Sequence, residues 1–182
     1  MTEKQEKQLE PEEICARLET VRLPRWEELP DLELYMDQVL SLTRRYLAPY
    51  PDFADNGLTA SMVNNYVKAG VLPAPVKKRY TRRHLSRLLM ICLLKSSLSI
   101  AEICRLAATL SPEEEPAQYD RFCELAEQSA AEAVLAMRRD QAEEQVLETI
   151  LRGALRARAE QSVAMSFCAR LPQAPERKKG GQ

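Results

Sequence analysis

A chain of 182 residues, 45% apolar and 29% charged, holds one core of ordinary size or one compact domain with a helical appendage, which excludes two full domains. Only five glycines, with abundant Leu, Ala, Glu and Arg, favour a mostly α protein over a sheet. The formal net charge of −1 becomes informative only when the chain is divided into segments.

Residues 1–28 are charged, with apolar positions at Ile14, Leu18 and Val21 that suit a short helix before Pro24, and read as a loosely attached arm. From Asp31, placed as N-cap after Pro30, the positions Leu32, Tyr35, Met36, Val39, Leu40, Thr43, Tyr46 and Leu47 recur at helical spacing, and the helix ends before Pro49 and Pro51. APYPDFADNG then reads as a loop of turn-forming residues. Thr59 caps a short helix stopped by Gly70; Met62, Val63, Tyr66 and Val67 make its buried stripe, leaving Ser61, Asn64, Asn65 and Lys68 on the other side.

VLPAPVKKRYT, with two prolines, cannot be helix and reads as a β-hairpin wing or an extended loop. Thr81 caps an apolar helix through Leu85, Leu88, Leu89, Cys92 and Leu93. Ser99-Ile100-Ala101-Glu102 is a capping box, with Leu98 and Ile103 as its hydrophobic staple, and starts a helix to about Leu110. After the linker SPEEEP, residues 117–170 contain no proline and one glycine, with apolar pairs every four residues at Val146/Leu147, Ile150/Leu151 and Ala154/Leu155. They predict one very long helix, or two packed antiparallel around Arg138-Arg139-Asp140-Gln141. The tail 172–182 reads as disordered.

Residues 1–55 carry 13 acids against 7 bases, residues 56–101 none against 8, and residues 102–182 carry 14 against 11. Solubility is normally achieved by mixing both signs, so an acid-free basic segment points to an anionic partner, nucleic acid before membrane. The sequence start lacks the apolar core of a secretory signal, and the longest apolar run, Leu88 to Leu94, is too short to span a bilayer, so a cytoplasmic protein without a membrane role is expected. Five cysteines without paired C-x-x-C spacing indicate neither a disulfide framework nor a zinc site. Cys92 and Cys104 read as core residues, Tyr66 and Tyr80 as core or wing-anchoring rings, and His84, among arginines, as a residue whose protonated form is disfavoured.

A short helix with a neutral polar face suits the major groove, where asparagine can bond an adenine edge bidentately. Ser61, Asn64, Asn65 and Lys68 are the candidate reading residues; Lys77, Lys78, Arg79, Arg82 and Arg83 are the candidate phosphate contacts, a sequence-independent term that makes binding steeply salt-dependent. No nucleophile paired with a base, no recognisable carboxylate pair and no glycine-rich phosphate loop appear, so neither catalysis, a metal nor a cofactor is expected.

The order helix, loop, short polar-faced helix, basic wing and two further helices resembles the winged helix-turn-helix DNA-binding domain of MerR-type regulators. Their T-[IL]-R-Y-Y-E-x-x-G-L pattern falls on Val63, Asn64, Asn65, Tyr66 and Val67 when counted back from Gly70. The wing pattern falls on Lys78-Arg79-Tyr80, His84-Leu85, Leu88 and Ile91, and the final S-L-x-x-I on Ser99-Ile100 and Ile103. This chain departs from it at Asn64, Asn65 and His84, lacks the glycine before the last helix, and has about ten loop residues where a helix-turn-helix uses three or four. The chain is also similar to a bacterial domain-of-unknown-function family sharing Leu34-Tyr35-Met36-Asp37-Gln38, Met62-Val63-Asn64-Asn65-Tyr66 and Lys78-Arg79-Tyr80, over roughly residues 30–110.

The resemblance implies a MerR-like winged helix-turn-helix domain at 29–111, preceded by the arm at 1–28 and followed by a C-terminal helical region at 112–171 for dimerisation or sensing. It implies a homodimeric regulator on double-stranded DNA, with helix 59–70 in the major groove and wing 73–83 on phosphates. The rival expectation is a protein-interaction module that keeps the fold and binds an acidic protein or its own acidic segment, residues 1–55.

Overall fold

The structure, a computed structural model, describes residues 10–55, 57–141 and 146–172. They are mostly helical, in the order α1 (Pro11–Glu19), a 3₁₀ turn at Trp26–Glu28, α2 (Met36–Tyr46), α3 (Pro51–Asp55), α4 (Ala60–Ala69), α5 (Arg82–Leu94), α6 (Ile100–Ala108), α7 (Glu115–Gln141) and α8 (Val146–Cys168). Extended pairing among the described residues is confined to isolated bridges, Leu34 with Tyr80 and Val76 with Arg79.

The core gathers around α5, whose Leu85, Leu88, Leu89, Ile91 and Cys92 are all buried, against Val39 and Leu47 of the α2 region and Val63 and Tyr66 of α4. Polar faces turn outward at the spacing the sequence predicts: Ser61, Asn64, Asn65 and Lys68 are exposed on α4. Local chemistry sets most helix ends. Thr59 Oγ1 accepts from the Met62 N–H at 3.3 Å, and Gly70 stops α4 at φ 83°, a conformation that costs a glycine little. Ser99 and Glu102 form the expected reciprocal box at the start of α6. At the start of α5 the Thr81 N–H donates to His84 Nδ1 at 3.0 Å, so the histidine side chain does the capping.

Four expectations are corrected. First, residues 10–28 are no loose arm, since Cys15 and Leu23 are buried and α1 packs along α7. Arg25 forks onto both oxygens of Glu127 at 2.8 and 2.7 Å, and the Trp26 N–H donates to Asp120 Oδ1 at 2.6 Å. The scattered apolar residues needed a long-range partner, α7, which local reading does not supply. Second, α2 begins at Met36 rather than Asp31, because Gln38 Oε1 reaches back to the Tyr35 N–H at 2.8 Å while Leu34 is drawn into its bridge with Tyr80.

Third, the loop after α2 contains the short helix α3, with Phe53 buried in the core. Fourth, Arg138 to Gln141 lie within α7 rather than between two helices, and residues 142–145, which precede α8 in the chain, lie outside the described residues. The two helices pack against each other and line a shared groove, Ser129 to Met137 from α7 and Val146 to Glu160 from α8. Residues 1–9 of the expected arm and 173–182 of the expected tail lie outside the described residues. Among the described residues, no helix is long and apolar enough to cross a membrane, and no cluster of His, Cys, Asp or Glu could hold a metal ion.

Candidate nucleic-acid interface

Between α4 and α5 the chain leaves Gly70, buries Val71 and Leu72, and rises into a two-residue turn closed by Arg79 N–H donating to Val76 O at 2.8 Å. The two central residues, Lys77 and Lys78, have φ of 48° and 62°. Positive φ at both centres is what a type I′ turn demands, a place normally taken by Asn-Gly or Asp-Gly. A β-carbon in this region costs about 1 kcal/mol or more per residue, so the turn holds two adjacent ammonium groups at an energetic cost.

The base of the turn is fastened to the start of α2. The Leu34 N–H donates to Tyr80 O at 2.7 Å, the Tyr80 N–H to Leu34 O at 2.9 Å, and the Arg79 guanidinium stacks 3.6 Å from the centroid of the Tyr35 ring. Tyr80 is buried and meets the ring of His84 edge-on, with centroids 5.5 Å apart. Arg79 is therefore held over an aromatic face, while Lys77 and Lys78 are exposed at the tip.

The eight cations of the acid-free segment separate into two groups. Arg82 lies against Glu27 at 3.0 Å and Asp31 at 3.7 Å, with only 14% of its side chain exposed, and its guanidinium sits 5.9 Å from the Trp26 ring. Arg83 and Arg87 both contact the buried Glu115 at 2.5 Å. Lys95 sits 5.5 Å from the Phe53 ring. Among the described residues Lys68, Lys77 and Lys78 enter no ion pair and are exposed.

Of the nine residues singled out from sequence, the structure thus leaves Ser61, Asn64, Asn65 and Lys68 together on one face of α4 and joins Lys77, Lys78 and Arg79 in one turn. Arg82 instead lies against Glu27 and Asp31, and Arg83 shares Glu115 with Arg87, so both engage acids from the flanking segments. Glu115 could not be assigned to them from sequence, since it is one of three consecutive glutamates and only its burial distinguishes it. Tyr35 was visible as part of a motif, but its stacking on Arg79 was not.

His84 is buried, and desolvation first, then Arg83 and Arg87, hold its imidazole below the usual value. Burial also pushes the Cys92 thiol up to about 11, which leaves it protonated and unreactive at neutral pH. Neither side chain offers acid–base or thiolate chemistry to a ligand here; the arrangement is suited to holding an extended anion by charge and polar groups.

No curated protein and no solved structure matches the chain. Residues 24–122 match the family described as a domain of unknown function, DUF1836, a region that runs from the Arg25–Trp26 anchor through α2 to α6 and into the first turns of α7. With more than half of its length matched, and with the α4 face and the lysine turn both inside the match, the chain belongs to the DUF1836 family.

Proposed function

We propose that this protein is a DNA-binding transcriptional regulator whose residues 29–111 act as a MerR-like winged helix-turn-helix unit. In this reading α4 enters the major groove with Ser61, Asn64, Asn65 and Lys68, and the turn at Val76–Arg79 is the wing on the phosphate backbone. The observation that carries it is the strained Lys77-Lys78 turn. Strain persists where surrounding contacts impose it, and here the Leu34–Tyr80 bridge and the Tyr35–Arg79 stack impose it on the two cations left unpaired. From Gly70 to Lys77 the chain spans at most about 25 Å, within one helical turn of B-DNA, so helix and turn can address adjacent grooves and phosphates.

The proposal includes a homodimer formed through α8. Val146, Leu147, Ile150, Leu151, Leu155 and Phe167 are each at least 51% exposed, an apolar face larger than single surface residues account for. A two-fold pair would cover these faces and present two copies of α4 to a two-fold operator. Sedimentation of the full chain as a monomer at micromolar concentration would remove this part of the proposal.

The deciding experiment is a salt titration of DNA binding. Replacing Lys77 and Lys78 by Ala weakens binding across all sequences and reduces the slope of log K against log salt by about 0.9 for each phosphate that is no longer neutralised. Unchanged affinity in both proteins excludes the turn as a phosphate grip.

One observation favours a second reading, a protein-interaction module. Arg82 contacts Glu27 and Asp31, and Arg83 and Arg87 share Glu115, so part of the basic segment's charge is matched within the chain. A full chain that passes unretained through heparin and DNA columns near physiological salt favours this reading over the first.

A further inference from the structure

Behind the end of α4 lies a half-open pocket of about 240 Å³ between α5, α6 and α7. Its walls are matched helical faces: Met90, Ile91 and Leu94 of α5 meet Leu106 and Ala107 of α6, with Phe122 of α7 as the third side. An apolar hollow of about 150 Å³ already admits benzene. The space of about 240 Å³ accommodates a fused two-ring system or a medium-length alkyl chain, and is too small for a helix. Water in so apolar a site finds few partners, so an apolar occupant gains affinity by displacing it.

The wall carries one charged residue, Arg87, whose side chain is 12% exposed. Its Nε donates to Glu115 Oε1 at 2.5 Å, its sole hydrogen bond among the described residues, so the four N–H groups on its two Nη atoms are available. Glu115 is shared with Arg83 at 2.5 Å, so two guanidiniums face one carboxylate and the cluster keeps one positive charge in excess. A monoanion completes it.

We propose that this pocket binds a small apolar molecule bearing a single carboxylate, with its hydrocarbon part against Phe122 and Leu106 and its carboxylate on the Nη groups of Arg87. A guanidinium and a carboxylate match as two parallel charge-assisted hydrogen bonds, and the surrounding apolar wall strengthens them. The occupant reaches the end of α4. Val71, buried at 1%, lines the pocket directly after Gly70, and Cys104 Sγ on α6 lies 3.7 Å from Ala69 O. The site stands independently of the nucleic-acid reading, because it is lined by α5, α6 and α7 and by no residue of α4 or of the Val76–Arg79 turn.

The test titrates the full chain, without nucleic acid, with 2-naphthoate and with its uncharged counterpart 2-methylnaphthalene, followed by probe fluorescence. The expected result is saturable binding of 2-naphthoate, about tenfold tighter than 2-methylnaphthalene. Arg87→Met loses that preference and keeps the uncharged binding, and Ala107→Phe, which fills the pocket, loses both. Absence of saturable 2-naphthoate binding below about 1 mM overturns the proposal. A preference that survives Arg87→Met overturns the carboxylate assignment. Should Arg87→Met fail to fold through release of Glu115, Ala107→Phe decides alone, with its thermal melt showing that it is folded: unchanged binding there sinks the site.

Discussion

The Arg79 guanidinium rests 3.6 Å from the centroid of the Tyr35 ring, so the LYMDQ and KKRY stretches, far apart in sequence, form a single contact. A cation over an exposed aromatic face contributes about 0.5–1 kcal/mol. In a double-mutant cycle with Tyr35→Ala and Arg79→Ala, the coupling energy is expected in that range, and each single change lowers the melting temperature by a few degrees. Additive effects of the two substitutions would show that the stack contributes nothing.

Relieving the turn separates stability from binding. Lys77→Asn combined with Lys78→Gly places residues tolerant of positive φ at the two strained centres and raises stability by about 1–2 kcal/mol. On the proposed function, the same change is expected to weaken binding to any DNA and to flatten its salt dependence. Urea midpoints and salt titrations on one preparation check both halves; a fall in stability would mean that the lysine side chains support the turn.

Glu115 is the buried counter-charge for Arg83 and Arg87. Its replacement by Ala leaves Arg87 buried without its anion and is expected to cost about 3 kcal/mol, read as a drop in urea midpoint at unchanged slope. By contrast Glu27→Ala, on the 83%-exposed partner of Arg82, changes stability by less than about 1 kcal/mol.

The His84 imidazole is held below its unfolded value of 6.5 by burial and then by Arg83 and Arg87, with the Ala74 backbone and Glu115 acting the other way. The unfolded chain therefore binds the proton first as pH falls. The stabilisation from neutral His84 is complete above about pH 6.5 and is lost progressively as pH drops below it. Glu28, Glu102 and Glu127 are all held below 4.5, so their contributions begin to be lost only in stronger acid than the pH at which the His84 loss begins. His84→Gln keeps an acceptor for the Thr81 N–H and should flatten stability between about pH 7.5 and 5.5 relative to the parent chain.

The local grammar of the chain was legible wherever one residue decides an end: Thr59 and Gly70 bounded α4, and Ser99 with Glu102 opened α6. The polar face of α4 followed from spacing alone, since Val63 and Tyr66 had to be buried and Asn64 and Asn65 therefore could not be. What stayed hidden depended on distant partners. Nothing near Leu23 or Arg25 announces that Glu127 on α7 will hold them, and nothing near Lys77 announces a positive φ, because lysine is a poor marker for that conformation. Likewise an absence of acids between residues 56 and 101 shows that cations outnumber anions locally, but not which cations the flanks will neutralise.

The Leu34–Tyr80 bridge acts as the knot of a drawstring. It fastens the two ends of one long excursion that contains α2, α3, α4 and the lysine turn, and the entropy of closing so long a loop grows only slowly with its length. Everything proposed to face DNA therefore lies inside one closure and forms or opens together. The amides of Leu34 and Tyr80 should accordingly exchange with solvent at a common rate, as the last protected pair in that half of the molecule, and a substitution that loosens them would release α4 and the lysine turn in the same event.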